Sequence, residues 1–313
     1  MYRNLTIFRF PEPVAASIRV AALASPPGGE TDLQRDLSTH AMKPVGPLEL
    51  SSRGWVMAWP SENGLFRSIG DTVHLALGGE DKLLPPAVVN RELAKRLDEA
   101  EEREGRRPGG RARKRMKDEV VQDLLPRALV KPYRLDGYLD LQRGLLVVDT
   151  ASRKAAEEFA SMLRLTLGSF PALPLNAERS PRTMLTGWVD GLPLPDGMSI
   201  ADEARLQDGA DGGGVVTLKG IDLRSDEVAE HLDAGKQCTR LGLYLGDRLG
   251  FAFGEDLVVR KLRFLDGAMD QLEHADSDDL QAELDARATL LVGEVGTLFD
   301  VLEGEFRFSK VEG

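Results

Sequence analysis

"CTRLGLYLG" (Cys238–Gly246), "RLGFAFG" (Arg248–Gly254) and "LVVRKLRFL" (Leu257–Leu265) follow one another with one or two residues between them. Apolar runs of this length, each bounded by glycine or acidic turn residues, read as three successive strands. Just upstream, "GGGVVTLKGIDL" (Gly212–Leu223) reads as a further strand. "SDEVAEHLDAG" (Ser225–Gly235) reads as a helix with Ser225 as its cap and Gly235 as its stop. Strands in runs, broken by isolated helices, define an α+β fold with mixed, mainly antiparallel sheets. This C-terminal α+β base region spans 181–313, and one or two helices finish it.

The N-terminal half carries the same pattern. "NLTIFRF" (Asn4–Phe10) is a strand with Leu5, Ile7 and Arg9 on one side and Thr6, Phe8 and Phe10 on the other. "TDLQRDLSTHAM" is a short helix capped by Thr31, and "RGWVMAW" is an apolar strand ended by Pro60. "DTVHLALGGEDKLLP" suggests strand, Gly-Gly turn, strand. "YRLDGYLDLQRGLLVVDT" suggests strands around turns at Asp136-Gly137 and Arg143-Gly144. "SRKAAEEFASMLRLTLGS" is an amphipathic helix capped by Ser152, with Ala155, Phe159, Met162, Leu163 and Thr166 facing inward and Gly168 closing it. Residues 1–84 and 127–180 thus make a central α/β region.

Between these two stretches, 85–126 forms a helical tip. Pro85 and Pro86 suit a helix start. Val89, Leu93 and Leu97 recur every four residues, and Glu92 to Arg96 and Glu99 to Arg103 are spaced as favourable ion pairs. "GRRPGG" (Gly105–Gly110) interrupts the helix. A second helix then runs from Arg111 to Leu125, with Met116, Val120 and Leu124 on one face and Arg111 and Arg115 pointing away from it. The result is a protruding helical hairpin with a basic turn.

Charge sets this turn apart. The chain of 313 residues has a formal net charge of −11. From Arg103 to Lys117, however, Arg103, Arg106, Arg107, Arg111, Arg113, Lys114, Arg115 and Lys117 stand against Glu104 alone. That is a local +7, which leaves −18 for the remainder, of which −10 falls in Asp266–Gly313. One reading is a solvated helix face. The other is a phosphate-binding patch, because guanidinium forks match phosphate oxygens and a local cluster attracts a polyanion despite an acidic body. No aromatic residue interrupts the cluster, so base stacking is not indicated and contact with a duplex backbone fits better.

Signatures of other chemistry are sparse. The phosphate-loop motif and the Gly-x-Ser-x-Gly elbow are absent, and the glycines of "DGGGVVTLKG" precede a strand where a dinucleotide fingerprint would follow one. Cys238 and His231 make at most half a zinc site, against the alternative of a core cysteine and a surface histidine. "DSDDLQAELD" lacks the glycine of a calcium loop and reads as a solvated helix start. "EDLVVRK", with Glu255, Asp256 and Lys261, has the composition of a magnesium nuclease site, an arrangement that also arises by chance. No metal or cofactor is expected. A single cysteine precludes an intrachain disulfide. With no apolar run of membrane-spanning length and no signal peptide at the N-terminus, a cytoplasmic protein is expected.

Several long stretches, in order, resemble the recombination-associated protein RdgC family: "KDEVVQDLLPRAL" (Lys117–Leu129), "GLLVVDTASRKAAEEFASMLRLTLGSFPALPL" (Gly144–Leu175), "DGGGVVTLKGIDLRSDEVAEHLDAGKQCTRLGL" (Asp211–Leu243) and "VRKLRF" (Val259–Phe264), with the "GWVMAW" and "LLPPAVVNREL" regions. The resemblance covers almost the entire chain. It implies a nucleoid-associated protein without catalytic activity. It also implies a curved protomer that forms a ring-shaped homodimer, encircles double-stranded DNA without sequence preference and restrains RecA-dependent recombination. A two-fold ring needs two self-complementary contacts per subunit. By resemblance, Leu125, Arg127 and Leu129 of "LLPRAL" lie near the closing contact, a dimer gate, with leucine at 129 where relatives carry phenylalanine. Lys219 matches a lysine attributed to DNA contact, with Gly220 where relatives can carry a second lysine. The alternatives are a solvated strand end for Lys219 and a charge meeting the helix dipole for Arg127. Against the DNA-binding reading stand a protein-interaction scaffold acting on the recombinase directly and the metal nuclease through Glu255, Asp256 and Lys261.

Overall fold

The structure, a computed structural model, describes residues 1–23, 30–59, 64–209, 213–273 and 280–311. The chain order is β1 (Thr6–Arg9), α1 (Glu12–Leu23), α2 (Asp32–Thr39), β2 (Ser51–Val56), β3 (Phe66–Ile69), β4 (Thr72–Leu83), α3 (Pro86–Glu104), α4 (Gly110–Leu124), β5 (Leu129–Asp140), β6 (Leu145–Val148), α5 (Arg153–Leu167) and β7 (Leu173–Pro174). It continues with α6 (Pro181–Val189), β8 (Met198–Asp208), β9 (Val215–Lys219), α7 (Asp226–Asp233), β10 (Lys236–Leu245), β11 (Leu249–Gly254), β12 (Val259–Phe264), α8 (Asp266–Glu273) and α9 (Leu280–Phe306). These elements make a mixed α+β fold whose named strands all pair antiparallel, in two sheets.

The first sheet runs β2-β4-β5-β6-β1-β7, with β3 also on β4. The second runs β12-β11-β10-β8-β9, so the three successive strands of the opening stretch form one side of it, three of its five strands, in chain order. The strand β1 shows why both faces of the first sheet are buried. Leu5 and Ile7 enter a core shared with the second sheet, while Phe8 and Phe10 enter a core on the opposite face under α1, α2 and α5. The alternation read from the sequence therefore separates two apolar layers where one wet and one dry face would be usual.

The long helix α9 lies in the shared core. Leu291, Val295, Leu298, Phe299, Leu302 and Phe306 pack with Leu145 and Val147 of the first sheet and with Leu241, Leu243 and Phe253 of the second. Its carboxylates are answered by arginines from the first sheet and its β5–β6 turn: Arg9 reaches Glu303 at 2.5 Å, Arg143 in that turn reaches Asp300 at 2.9 Å, and Arg67 reaches Asp285 at 2.6 Å. The buried Glu294 takes Arg248. Four acids of the C-terminal segment are thus internal complement to these arginines. The start of "DSDDLQAELD" and His274 lie outside the described residues, as do Pro60 and Gly212.

Three expectations are corrected. Gly78-Gly79 is not a turn: β4 runs unbroken through it, and the glycines admit the neighbouring strand. Gly78 faces Gly54 across the ladder, where a Cβ would collide with Val56, and one at Gly79 would collide with the Ser52 carbonyl. Gly137 likewise lies inside β5, where a Cβ would come 2.8 Å from Phe159 of α5. Only Gly144, with φ +65°, makes the expected turn. In the hairpin, Arg96 pairs across to Asp123 on α4 at 2.6 Å, and Glu92 takes Lys95 at 3.7 Å. Arg103 meets its neighbour Glu104 at 3.8 Å where Glu99 was expected. The helices α1 and α6 and the strand β8 have no counterpart in the sequence reading. The first is rich in small residues, with only Ala15, Ile18 and Ala22 buried, and it carries a weak stripe.

Candidate nucleic-acid interface

The helical hairpin has a small core of its own, separate from the two large ones. Val89, Leu93 and Leu97 of α3 meet Val120 of α4, with Met116, Val121 and Leu124 at the edge. Pro86 stands in the first turn of α3. Gly105, at φ +68°, caps its end in the left-handed region, where a side chain costs about 1 kcal/mol or more. The chain crosses Arg106, Arg107 and Pro108 and re-enters a helix behind Gly109, which offers no side-chain cap.

All eight cations of the cluster are exposed. Arg103 and Arg107 have loose acidic neighbours, Glu104 at 3.8 Å and Glu101 at 3.7 Å. Among the described residues, Arg106, Arg111, Arg113, Lys114, Arg115 and Lys117 have no ion-pair partner within 4.0 Å. Arg111 and Arg113 occupy the first turn of α4, which contains no acid. That is the wrong sign for a helix start, since the dipole there is already positive. Cations, unsatisfied first-turn N–H groups and the dipole all favour an anion at this end. Arg111, Lys114 and Arg115, spaced three and four apart, share one side of α4.

The other candidate residues stand elsewhere. Lys219 ends β9, the edge of the second sheet. It is exposed and is followed by Gly220 at φ +68°. Arg127 lies in a 3-10 turn (Leu125–Arg127) after α4, exposed. Leu125 is buried inside the protomer, whereas Leu129, opening β5, is 76% exposed directly across from the exposed Leu83. These two exposed leucines share one face of the sheet and leave an apolar surface beside the base of the hairpin.

Each member of the Glu255, Asp256 and Lys261 trio pairs with a residue outside it. Glu255 binds Arg182 at 2.5 Å, Asp256 binds Arg260, and Lys261 binds Glu203. Burial works against ionisation of Asp256, but the Arg260 guanidinium outweighs it and holds the carboxyl below its ordinary value. Cys238 is a core residue: its thiol, pushed up to about 12 by burial, donates to the Arg240 carbonyl at 3.2 Å. Among the described residues no three His, Cys, Asp or Glu side chains group as metal ligands, and no helix is long and apolar enough to cross a membrane.

Apart from Lys219, the sequence reading missed a second basic surface, on the face of the second sheet turned away from the core. Arg205, Arg240 and Arg260 are far apart in sequence and so form no charge run. The available signal was alternation, each arginine standing in a strand next to residues that point inward.

Two antiparallel sheets clasping a long helix, with a helical hairpin on a separate small core, define an α+β protein with an exposed cationic tip. The family profile described as "Putative exonuclease, RdgC" matches residues 1–308. The chain is 49% identical over 313 residues to the recombination-associated protein RdgC of Xanthomonas campestris pv. campestris (strain B100). It is 51% identical over 314 residues to that of Stenotrophomonas maltophilia (strain R551-3), with 99% of each chain covered in both comparisons. The chain belongs to the RdgC family of recombination-associated proteins.

Proposed function

We propose that the protein binds double-stranded DNA without reading its sequence, through phosphate contacts, and acts as a ring-shaped homodimer that encircles the duplex. By occupying DNA it restrains RecA-dependent recombination, in the cytoplasm and on the nucleoid, and it does so without catalysis, metal or nucleotide. The observation that carries this reading is the hairpin tip: six exposed cations without acidic partners, two of them set against the dipole of their own helix. The apolar surface of Leu83 and Leu129 supports self-association, since patches left open in one subunit are where symmetric copies meet. Arg127, next to that surface, is then a rim charge of the gate, and the buried Leu125 is its support from below.

The test is a binding series with linear duplex, circular duplex and single strand at several salt concentrations. Steeply salt-dependent duplex binding, slower to dissociate from circles than from linear DNA with free ends, is expected. Indifference to duplex in dilute buffer would end the reading. The scaffold alternative predicts recombinase capture that survives digestion of all DNA. The enzymatic alternative predicts shortening or nicking of DNA in magnesium, and intact substrate is expected here.

A further inference from the structure

The five-stranded sheet turns one face to the core, and the other carries a row of arginines. Arg205 on β8 stands directly opposite Arg240 on β10, and Arg240 stands opposite Gly254 on β11. A side chain at Gly254 would strike Asp256 and the Arg260 guanidinium, which lies 2.7 Å from the position a Cβ would take. The glycine thus lets Arg260, from β12, lean back over β11 toward Arg240. Gly242 performs the same service for Glu203, whose Cγ lies 2.7 Å from the corresponding position. The floor between the charged residues is almost bare backbone.

Like charges facing each other across a ladder destabilise a sheet. Asp256 offsets Arg260 at 2.8 Å, and Glu203 offsets Lys261. Among the described residues, Arg205 and Arg240 have no carboxylate within 4.0 Å. The Arg240 Nε is buried without a hydrogen-bond partner, and burial, with Arg260 and Arg205 nearby, weakens that group's hold on its proton. A buried donor left open is costly unless a ligand completes it. Arg205, Lys219, Arg240 and Lys261 line a groove of about 340 Å³, which shares Glu203 and Lys261 with a neighbouring groove of about 590 Å³ that also holds Arg3 and Arg263.

We infer that this groove is a second phosphate-binding surface, centred on Arg205 and Arg240, that takes the phosphodiester backbone of a duplex independently of the hairpin tip. The inference rests on the duplex-binding reading and adds to it a site that carries no charge run in the sequence. Guanidinium forks on a rigid sheet with a backbone floor hold a phosphate group at fixed positions, whereas the tip presents its charges on a two-helix arm. Lys261, held at φ +53°, and Lys219 flank the site.

The test compares four full-length proteins: wild type, R205Q/R240Q, R111Q/K114Q/R115Q and the combination. Each is titrated with a 30-base-pair duplex from 50 to 200 mM salt. Loss of two phosphate contacts lowers the salt slope by about 1.8, so the double variant should lose about tenfold less affinity across that range than wild type. The combination should lose more than either parent. R205Q alone, at the less enclosed arginine, gives the same answer should the double variant fold poorly, and R240K should recover part of the binding. Thermal shift with sodium pyrophosphate at constant ionic strength, present for wild type and absent for R205Q/R240Q, reads the site without DNA. A double variant that matches wild type in slope while the tip variant loses binding would overturn this site and leave the duplex reading standing. Pyrophosphate stabilisation with unchanged duplex binding would overturn the backbone as occupant. No duplex binding by wild type would overturn the parent reading itself.

Discussion

Replacing Arg111, Lys114 and Arg115 with glutamine removes three exposed cations from one side of α4 and leaves the hairpin core of Val89, Leu93, Leu97 and Val120 untouched. Glutamine is nearly as good a helix former as arginine or lysine, so the change is one of charge. If each cation meets one phosphate, three contacts account for about 2.7 of the slope of log affinity against log salt. Between 50 and 200 mM salt, the variant should therefore lose about 40-fold less affinity than wild type. Fluorescence anisotropy with a labelled duplex at five salt concentrations measures this directly. The same substitutions should not lower thermal stability. Arg111 sits in a first turn where positive charge opposes the dipole, so its neutralisation is neutral or slightly stabilising. A control with Lys154 and Arg164 of α5 changed to glutamine, both exposed and outside the hairpin, should keep the wild-type slope. Equal slopes for the tip variant and wild type, with both proteins folded, would refute the assignment of the tip as a phosphate site.

Three further outcomes follow from the packing. Gly78→Ala forces a methyl group into Val56 on the neighbouring strand and should destabilise the fold by about 1–3 kcal/mol in denaturant titration. His74 is buried between Trp59 and Tyr138, and burial depresses it from 6.5 to about 4. The unfolded chain therefore takes up the proton first, so stability is full above pH 6.5 and falls by about 3 kcal/mol as pH drops to 4, a loss that His74→Gln should flatten. Leu129→Glu places a charge on the open apolar surface. It should shift sedimentation toward monomer at micromolar concentration with an unchanged circular dichroism spectrum, whereas an unchanged association state would remove Leu129 from the gate.

What the sequence revealed and what it hid divide along physical lines. The hairpin was legible because its signals are local: Pro86 at the start, an apolar residue every fourth position, and Gly105 where the backbone turns left-handed. The strand β1 was legible because period-two alternation assigned Leu5 and Ile7 to one side and Phe8 and Phe10 to the other, as the two cores require. The glycines of β4 and β5 were misread because a glycine required by a neighbouring strand or helix looks, in one dimension, like one required by a turn. The stretch "DSDDLQAELD" looked like a solvated helix start because the partner of its last residue, Asp285, is Arg67, 218 residues away along the chain. The arginine row of the second sheet was invisible for the same reason: only strand register brings Arg205 opposite Arg240. Charge runs can be read directly, but charge clusters assembled by folding require the sheet.

The most direct measurement is equilibrium competition between two duplexes of unrelated sequence for the protein, repeated from 50 to 200 mM salt without metal or nucleotide. Gripping phosphates without reading bases predicts equal affinity for both at every salt concentration and a steep common decline as salt rises. A persistent preference for one sequence, or an affinity that does not respond to salt, would contradict it.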